Sequence, residues 1–126
     1  MPDHRAWDAI WELNRRVTDL GQPFVLTDET RALLRGTAPD VAITPEEAER
    51  ELQSDASAAE LLKEIAKRIR VGSRRLSRAI VESDRLQQAG DTEGARKPLL
   101  DVFAVEVVPH YREVAQTHLD ALDGEP

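Results

Sequence analysis

The chain has 126 residues, of which 17 are basic and 24 are acidic, and its formal net charge is −7. Apolar residues make up 40% of the chain, which is typical of a folded domain and excludes a disordered composition. The absence of cysteine excludes disulfides, thiolate metal sites and cysteine nucleophiles. No stretch approaches the roughly 20 apolar residues that cross a bilayer, and the first residues lack the apolar core of a signal peptide. We therefore expect a cytoplasmic protein with one domain, residues 1–126, and no membrane contact.

The first predicted helix covers residues 4–20. Asp3 can cap its start, and Gly21 ends it. Trp7 and Trp11 lie four residues apart on its apolar face. Tryptophan is common at binding hot spots, so an interface is one interpretation of this pair, but core packing is the interpretation we favour.

Two short helices are predicted next. The first covers Asp28–Leu34 and is capped by Thr27 or Asp28, with Gly36 closing it. The second runs from Pro45 to about residue 53, because Thr44-Pro45-Glu46-Glu47 combines a capping box with proline at the first helical position.

A long helix is predicted over residues 57–90. Ser57 and Glu60 form a capping box at its start, and a glycine ends it. Its apolar and small positions recur at alternating steps of three and four residues, as in a helix packed in a bundle. They are Leu62, Ile65, Ile69, Gly72, Leu76, Ala79, Ser83 and Leu86. Gly72 in mid-helix indicates either the close approach of a neighbouring helix, which we favour, or a bend.

A last helix is predicted over residues 92–122, with Pro98 near its first turn and a kink at Pro109. The short turn before it predicts an antiparallel hairpin with the long helix. We therefore predict an all-α bundle built on the hairpin of residues 57–90 and 92–122, which shorter N-terminal helices cover. A disordered tail is expected over residues 123–126.

Positive charge is concentrated in one band of this acidic chain. Residues 61–78 contain seven bases and one acid. A solvent-facing band could bind an acidic protein or nucleic-acid phosphates, whereas the simpler interpretations are solvation or pairing with the acidic segment of residues 46–55. The band has no aromatic residue for base stacking. The candidate partner-binding residues are Lys63, Lys67, Arg70, Arg74, Arg75 and Arg78, with Arg68 alongside.

Glu106 and His110 form a second candidate site. Glu106 interrupts an apolar run, and the two residues are four apart, which would place them on one helical face. A buried glutamate could act as a general acid, or join His110 and His118 around a metal. We favour a buried polar pair, in which an arginine of the long helix such as Arg74 or Arg78 neutralises Glu106. We expect no metal and no cofactor.

No sequence signature of catalysis accompanies these residues. The chain has no P-loop, no G-x-G-x-x-G fingerprint and no G-x-S-x-G setting for a nucleophilic serine. We therefore expect a protein that is not an enzyme.

Four stretches of the chain carry a resemblance to a known family. They are GQPFVLTDETRALLRGTA, SAAELLKEIAKRIRVGSRRLSRAI, AGDTEGAR and AVEVVPHYREVA. In these phrases the chain resembles the DUSAM domain, a family of small paralogous proteins described from myxobacteria. The resemblance implies a bacterial, cytoplasmic protein with many relatives. Because the family is named as a domain of unknown function, it supplies no site residues.

These observations favour a non-enzymatic protein–protein interaction module of regulatory or immunity type. Its contact with an unidentified protein partner would be the basic band or an exposed apolar groove. The alternative hypothesis is a nucleic-acid-binding regulator that uses the basic helix 63–78. Homo-oligomerisation stays open, because long helical hairpins can pair between chains.

Overall fold

The structure, a computed structural model, describes residues 3–124. Within that range the chain is helical and contains no strand, which confirms the all-α prediction. The α-helices there are α1 (His4–Asn14), α2 (Asp28–Thr37), α3 (Pro45–Glu51), α4 (Asp55–Gln88), α5 (Thr92–Val105) and α6 (Pro109–Gly124). None of these helices combines the length and apolar character that crossing a membrane requires.

The chain divides into two compact units, Met1–Ile69 and Arg70–Pro126, and the boundary falls inside α4. The expectation of one domain over residues 1–126 stays a prediction. The first unit has an aliphatic core to which α1 to α4 all contribute. Its largest fully buried side chains are Ile10, Leu34, Val41, Leu52, Leu62 and Ile65. The second unit buries a smaller set from α4, α5, α6 and the link between α5 and α6. Its apolar core comprises Leu76, Ala79, Ala95, Leu99, Val102, Val108, Tyr111, Ala115, Leu119 and Leu122.

The first helix separates the two tryptophans. Trp7 is only 8% exposed and Ile10 is fully buried, whereas Trp11 is 52% exposed. The predicted core packing is therefore right for Trp7 and wrong for Trp11, because the buried face of α1 is centred between Trp7 and Ile10. The helix continues as a π-helical segment, Arg15–Asp19, and the chain then turns at Gly21 with a φ of 67°.

The predicted caps of the two short helices are present. Thr27 accepts a hydrogen bond from the backbone N–H of Thr30, and Thr44 accepts one from the N–H of Glu47. Helix α2 nevertheless runs to Thr37 and passes into a 3₁₀ turn, so its predicted end was too early. An isolated glycine in the last turn of a helix does not by itself end it.

The long helix begins at Asp55, and its capping residue, Ser54, lies three residues before the predicted cap. The Ser54 hydroxyl accepts from the N–H of Ser57 at 3.1 Å, and the Ser54 carbonyl accepts from Ala58 at 2.9 Å. Ser57 therefore lies inside the first turn, where its hydroxyl donates to the Glu51 carbonyl at 2.6 Å. The predicted cap at Ser57 was wrong because a second serine, correctly spaced, precedes it.

A glycine turn joins α4 to α5 as predicted. Gly90 has a φ of 84°, its N–H donates to Gln87, and the N–H of Asp91 donates to Leu86. These two bonds form a Schellman motif, which satisfies carbonyls at the end of the helix. The Asp91 carboxylate then accepts from the N–H of Gly94 at 2.8 Å and caps α5.

Replacing Asp91 with alanine is expected to lower the free energy of unfolding by about 1 kcal/mol, because the cap of α5 is lost. Asp91→Asn should retain most of the stability, since asparagine is an equally good cap. Urea denaturation measures both. Asp101→Ala, at an exposed position of α5, serves as the control, and an equal loss in that variant would contradict the capping role.

The last predicted helix, residues 92–122, is in fact two helices. Helix α5 ends at Val105, Glu106 has an extended backbone, and Pro109 is the first residue of α6. The predicted kink is a full break, because proline restricts the residue before it to extended conformations and suits the first helical position. Pro98 lies inside α5 rather than in its first turn. Of the predicted tail 123–126, the first two residues belong to α6, and residues 125–126 lie outside the described part.

Candidate functional site

Three bases of the predicted band form one row along the second half of α4. Arg70, Arg74 and Arg78 are four residues apart, so they follow one side of the helix, while Leu76 and Ala79 on the other side are buried. Arg74 and Arg78 are exposed and Arg70 is half-buried. We call these three residues the arginine row.

The arginine row is not neutralised within its own unit. In the part of the chain that the structure describes, no carboxylate lies within 4.0 Å of these three guanidinium groups. Two members of the row, Arg74 and Arg78, border a shallow groove of about 420 Å³ that Val71 and Arg75 complete. Guanidinium groups that reach the surface and have no acidic partner are available for an external carboxylate or phosphate.

Arg68 serves the fold of the first unit. Its guanidinium donates to the carbonyl oxygens of Val41 at 2.9 Å and Ala42 at 3.2 Å, and it pairs with Glu64 at 3.1 Å. Ala42 has a left-handed backbone with a φ of 65°. Arg68 therefore stabilises the tight turn before α3 and is not a free binding group.

The two predicted lysines lie on the first-unit half of α4 and are exposed. Lys63 approaches Glu60 at 3.5 Å, whereas Lys67 has no ion-pair partner among residues 3–124. The predicted pairing of the band with the acidic segment of residues 46–55 is not found within the described range. Glu49 of that segment pairs with Arg35 instead.

The remaining base of the band, Arg75, pairs with Glu106. Arg75 Nη1 lies 2.9 Å from Glu106 Oε1, and the Glu106 side chain is only 1% exposed. The second carboxylate oxygen accepts from the N–H groups of Val107 at 3.1 Å and Val108 at 3.0 Å. Among the described residues Glu106 is the one charged residue in the buried class. Its neutralising partner was predicted as an arginine of the long helix such as Arg74 or Arg78, and the structure shows another arginine of that helix, Arg75.

A glycine allows the link and α6 to approach α4 closely. A Cβ built on Gly72 would lie 2.5 Å from Cδ2 of Tyr111 and 2.8 Å from Oε1 of Glu106. Helix α4 passes through Gly72 without interruption. The close approach that we favoured is therefore present.

Burial raises the pKa of the Tyr111 hydroxyl, a hydrogen bond with Ser73 opposes that effect, and the charge of Glu106 adds to it.

Arg112 closes the break between α5 and α6, a role that sequence reasoning missed. Its guanidinium donates to the carbonyls of Phe103 and Glu106, both at 3.0 Å, and lies 5.0 Å from the centre of the Phe103 ring. It thereby satisfies carbonyl groups that the end of α5 leaves without helical partners. The signal was an arginine three residues after a helix-starting proline.

Glu106 and His110 do not share a helical face. Glu106 lies in the link, and His110 lies in the first turn of α6. Within residues 3–124, no group of three or more His, Asp or Glu residues could hold a metal ion. The oxygens of Glu106 are engaged by Arg75 and two backbone N–H groups, which fits a structural role for this carboxylate.

Comparison with known proteins gives a family whose function is unknown. The search of curated proteins found no significant match, and neither did the search of solved structures. A family model described as "Protein of unknown function (DUF2379)" matches residues 5–122, which is nearly the whole chain. The chain therefore belongs to the DUF2379 family of proteins of unknown function.

Proposed function

We propose that this protein is a non-enzymatic interaction module of the DUSAM type, which binds an acidic protein partner through the arginine row of α4. The observation that carries the proposal is the lack of any acidic partner for Arg70, Arg74 and Arg78 among the described residues. The protein would act in the bacterial cytoplasm in a regulatory or immunity-type role, which the family resemblance suggests by analogy.

The charge distribution favours a protein partner over nucleic acid. The whole chain has a net charge of −7, which repels a polyanion at long range, whereas a small acidic patch on a protein engages the arginine row locally. The row and its groove also lack an aromatic residue on which a base could stack.

The proposal of no catalysis draws on the environment of Glu106. A general acid or base must reach a substrate proton directly or through one water. Glu106 is buried, and its carboxylate oxygens are engaged by the fold. It therefore acts as a structural group in this proposal.

The decisive variant is Arg70→Glu/Arg74→Glu/Arg78→Glu. Arg75 is left intact, because its loss would leave the buried carboxylate of Glu106 without its ion-pair partner and destabilise the fold. Tagged protein is used to capture partners from its own lysate, with and without nuclease. We expect the wild type to capture one defined protein, and this protein should remain bound after nuclease treatment. The variant should capture at least about tenfold less of it, since reversing the charges replaces attraction by repulsion.

The matched control is Arg5→Glu/Arg16→Glu/Lys97→Glu, which changes the net charge equally at exposed positions outside the row. It should capture the partner as the wild type does. Circular dichroism verifies that both variants are folded. Equal losses in the two variants would show a general charge effect, and capture that nuclease abolishes would favour the nucleic-acid alternative.

A further inference from the structure

The first unit carries a groove whose chemistry is the opposite of the arginine row. It has a volume of about 370 Å³ and lies between α3 and α4. Four carboxylates border it: Glu47 and Glu51 from α3, and Glu60 and Glu64 from α4. The groove also includes Ile43 and Leu61, which are both buried. We call it the α3–α4 groove.

The α3–α4 groove has a net negative charge, because its two arginines do not balance its four carboxylates. Of its two arginines, Arg68 is held by Glu64 and by backbone carbonyls, and Arg50 is exposed. Glu51 has no ion-pair partner in the described range, and Glu60 has only the 3.5 Å contact with Lys63. The groove can therefore accept further positive charge at Glu51 and Glu60.

The carboxylates of the groove and the arginines of the row have the same spacing along their helices. Glu47 and Glu51 are four residues apart, and so are Glu60 and Glu64, so each pair is spaced by one helical turn, or about 6 Å. The arginine row has the same spacing along α4. A helix carrying the row could thus present one guanidinium group to each turn of the groove.

An exposed apolar residue lies beside the arginine row. Val81 lies three residues after Arg78 and seven after Arg74, hence on the same face, and it is 68% exposed. An exposed apolar residue flanked by arginines is typical of an interaction surface, in which apolar burial supplies affinity and charge supplies orientation.

We infer that the acidic partner of the arginine row is a second copy of this chain, whose α3–α4 groove receives the row. This inference rests on the proposed function and names its partner. Because the two surfaces differ, one such contact is head-to-tail, and it leaves a free groove on the copy that supplies the row and a free row on the other copy. Association should therefore continue beyond the dimer, or close into a ring, as concentration rises.

Complementary variants test this arrangement. The row variant is Arg70→Glu/Arg74→Glu/Arg78→Glu, and the groove variant is Glu51→Lys/Glu60→Lys. Sedimentation velocity of the wild type at low salt should show a mass that rises with concentration and falls at about 0.5 M salt, because salt screens exposed pairs. Each variant alone should weaken self-association by at least about 100-fold.

The mixture of the two variants gives the sharpest result. The groove variant keeps an intact row and the row variant keeps an intact groove, so an equimolar mixture should associate although neither variant associates strongly alone. The matched control for the groove variant is Asp101→Lys/Glu113→Lys, which changes the charge equally at exposed positions of α5 and α6. It should associate as the wild type does.

Three results would overturn the inference: a wild type that stays monomeric up to about 1 mM, single variants that associate like the wild type, or a mixture that stays monomeric. The proposed function is tested separately by the lysate capture. A monomeric wild type that still captures a protein through the arginine row would refute self-association and leave the proposed function standing.

Discussion

Replacing Glu106 with alanine is expected to lower the free energy of unfolding by about 3 kcal/mol. The substitution leaves Arg75 without its carboxylate and the buried N–H of Val108 without an acceptor. Arg75 is 32% exposed and can regain some hydration, so the loss should fall at the lower end of the values for broken buried pairs. Urea denaturation followed by circular dichroism measures the effect.

Glu106→Gln separates the two contributions. Glutamine keeps an oxygen that can accept from Val107 and Val108 but removes the charge that faces Arg75, so its loss should be smaller than that of alanine. Glu113→Ala, at an exposed position of α6, is the control and should stay within about 0.5 kcal/mol of the wild type. A loss below about 1 kcal/mol for Glu106→Ala would contradict the structural role of the pair.

Adding one methyl group at Gly72 is expected to destabilise the protein by about 1–3 kcal/mol. Alanine has the higher helix propensity, which would favour the folded state by up to about 1 kcal/mol. The new Cβ would nevertheless lie 2.5 Å from the ring of Tyr111 and 2.8 Å from the carboxylate of Glu106, and both side chains are buried. The steric cost should therefore exceed the gain in propensity.

Gly36→Ala is the matched control, because it makes the same change in a helix without a steric conflict. Nothing lies within 4 Å of a Cβ built on Gly36, which belongs to α2. This variant should be more stable than the wild type by about 0.5–1 kcal/mol. Opposite signs for the two glycines support close packing at Gly72, whereas a stabilising Gly72→Ala would refute it. Thermal and urea denaturation give both signs.

The helices could be predicted where a single residue type decides. Thr44 followed by Pro45 predicted the start of α3, and Gly90 predicted the end of α4. Prediction failed where two local solutions compete, as at Ser54 and Ser57, which both can cap a helix. It also failed at Pro109, because a proline is found both at a kink inside a helix and at the first position of a new helix.

The candidate site was predicted in kind but not in geometry. A glutamate within an apolar run predicts a cationic partner, and the structure supplies one. The charge pattern alone could not select Arg75 over Arg74 and Arg78, since the choice depends on which face of α4 meets the link. Gly72 was the missing signal. Its lack of a side chain lets the link approach α4, and Arg75, about one helical turn later, lies beside that point of approach.

The basic band also divides in a way that charge counting cannot reveal. Arg68 and Arg75 serve the fold, whereas the three guanidinium groups of the arginine row have no acidic partner among the described residues. All of them contribute equally to the positive charge of residues 61–78. Only the positions of their acceptors, two turn carbonyls and one distant carboxylate, distinguish structural from available arginines.

The link between α5 and α6 has a consequence for local motion. The N–H of Val108 lies outside any helix, yet it donates to a carboxylate inside the core. Hydrogen exchange at such an amide requires opening of its bond, so its protection comes from Glu106 and not from a helical ladder. Exchange at the Val108 amide thus reports how often the Glu106 carboxylate releases the link, so a backbone group in a three-residue link can be used to follow local opening of the second unit.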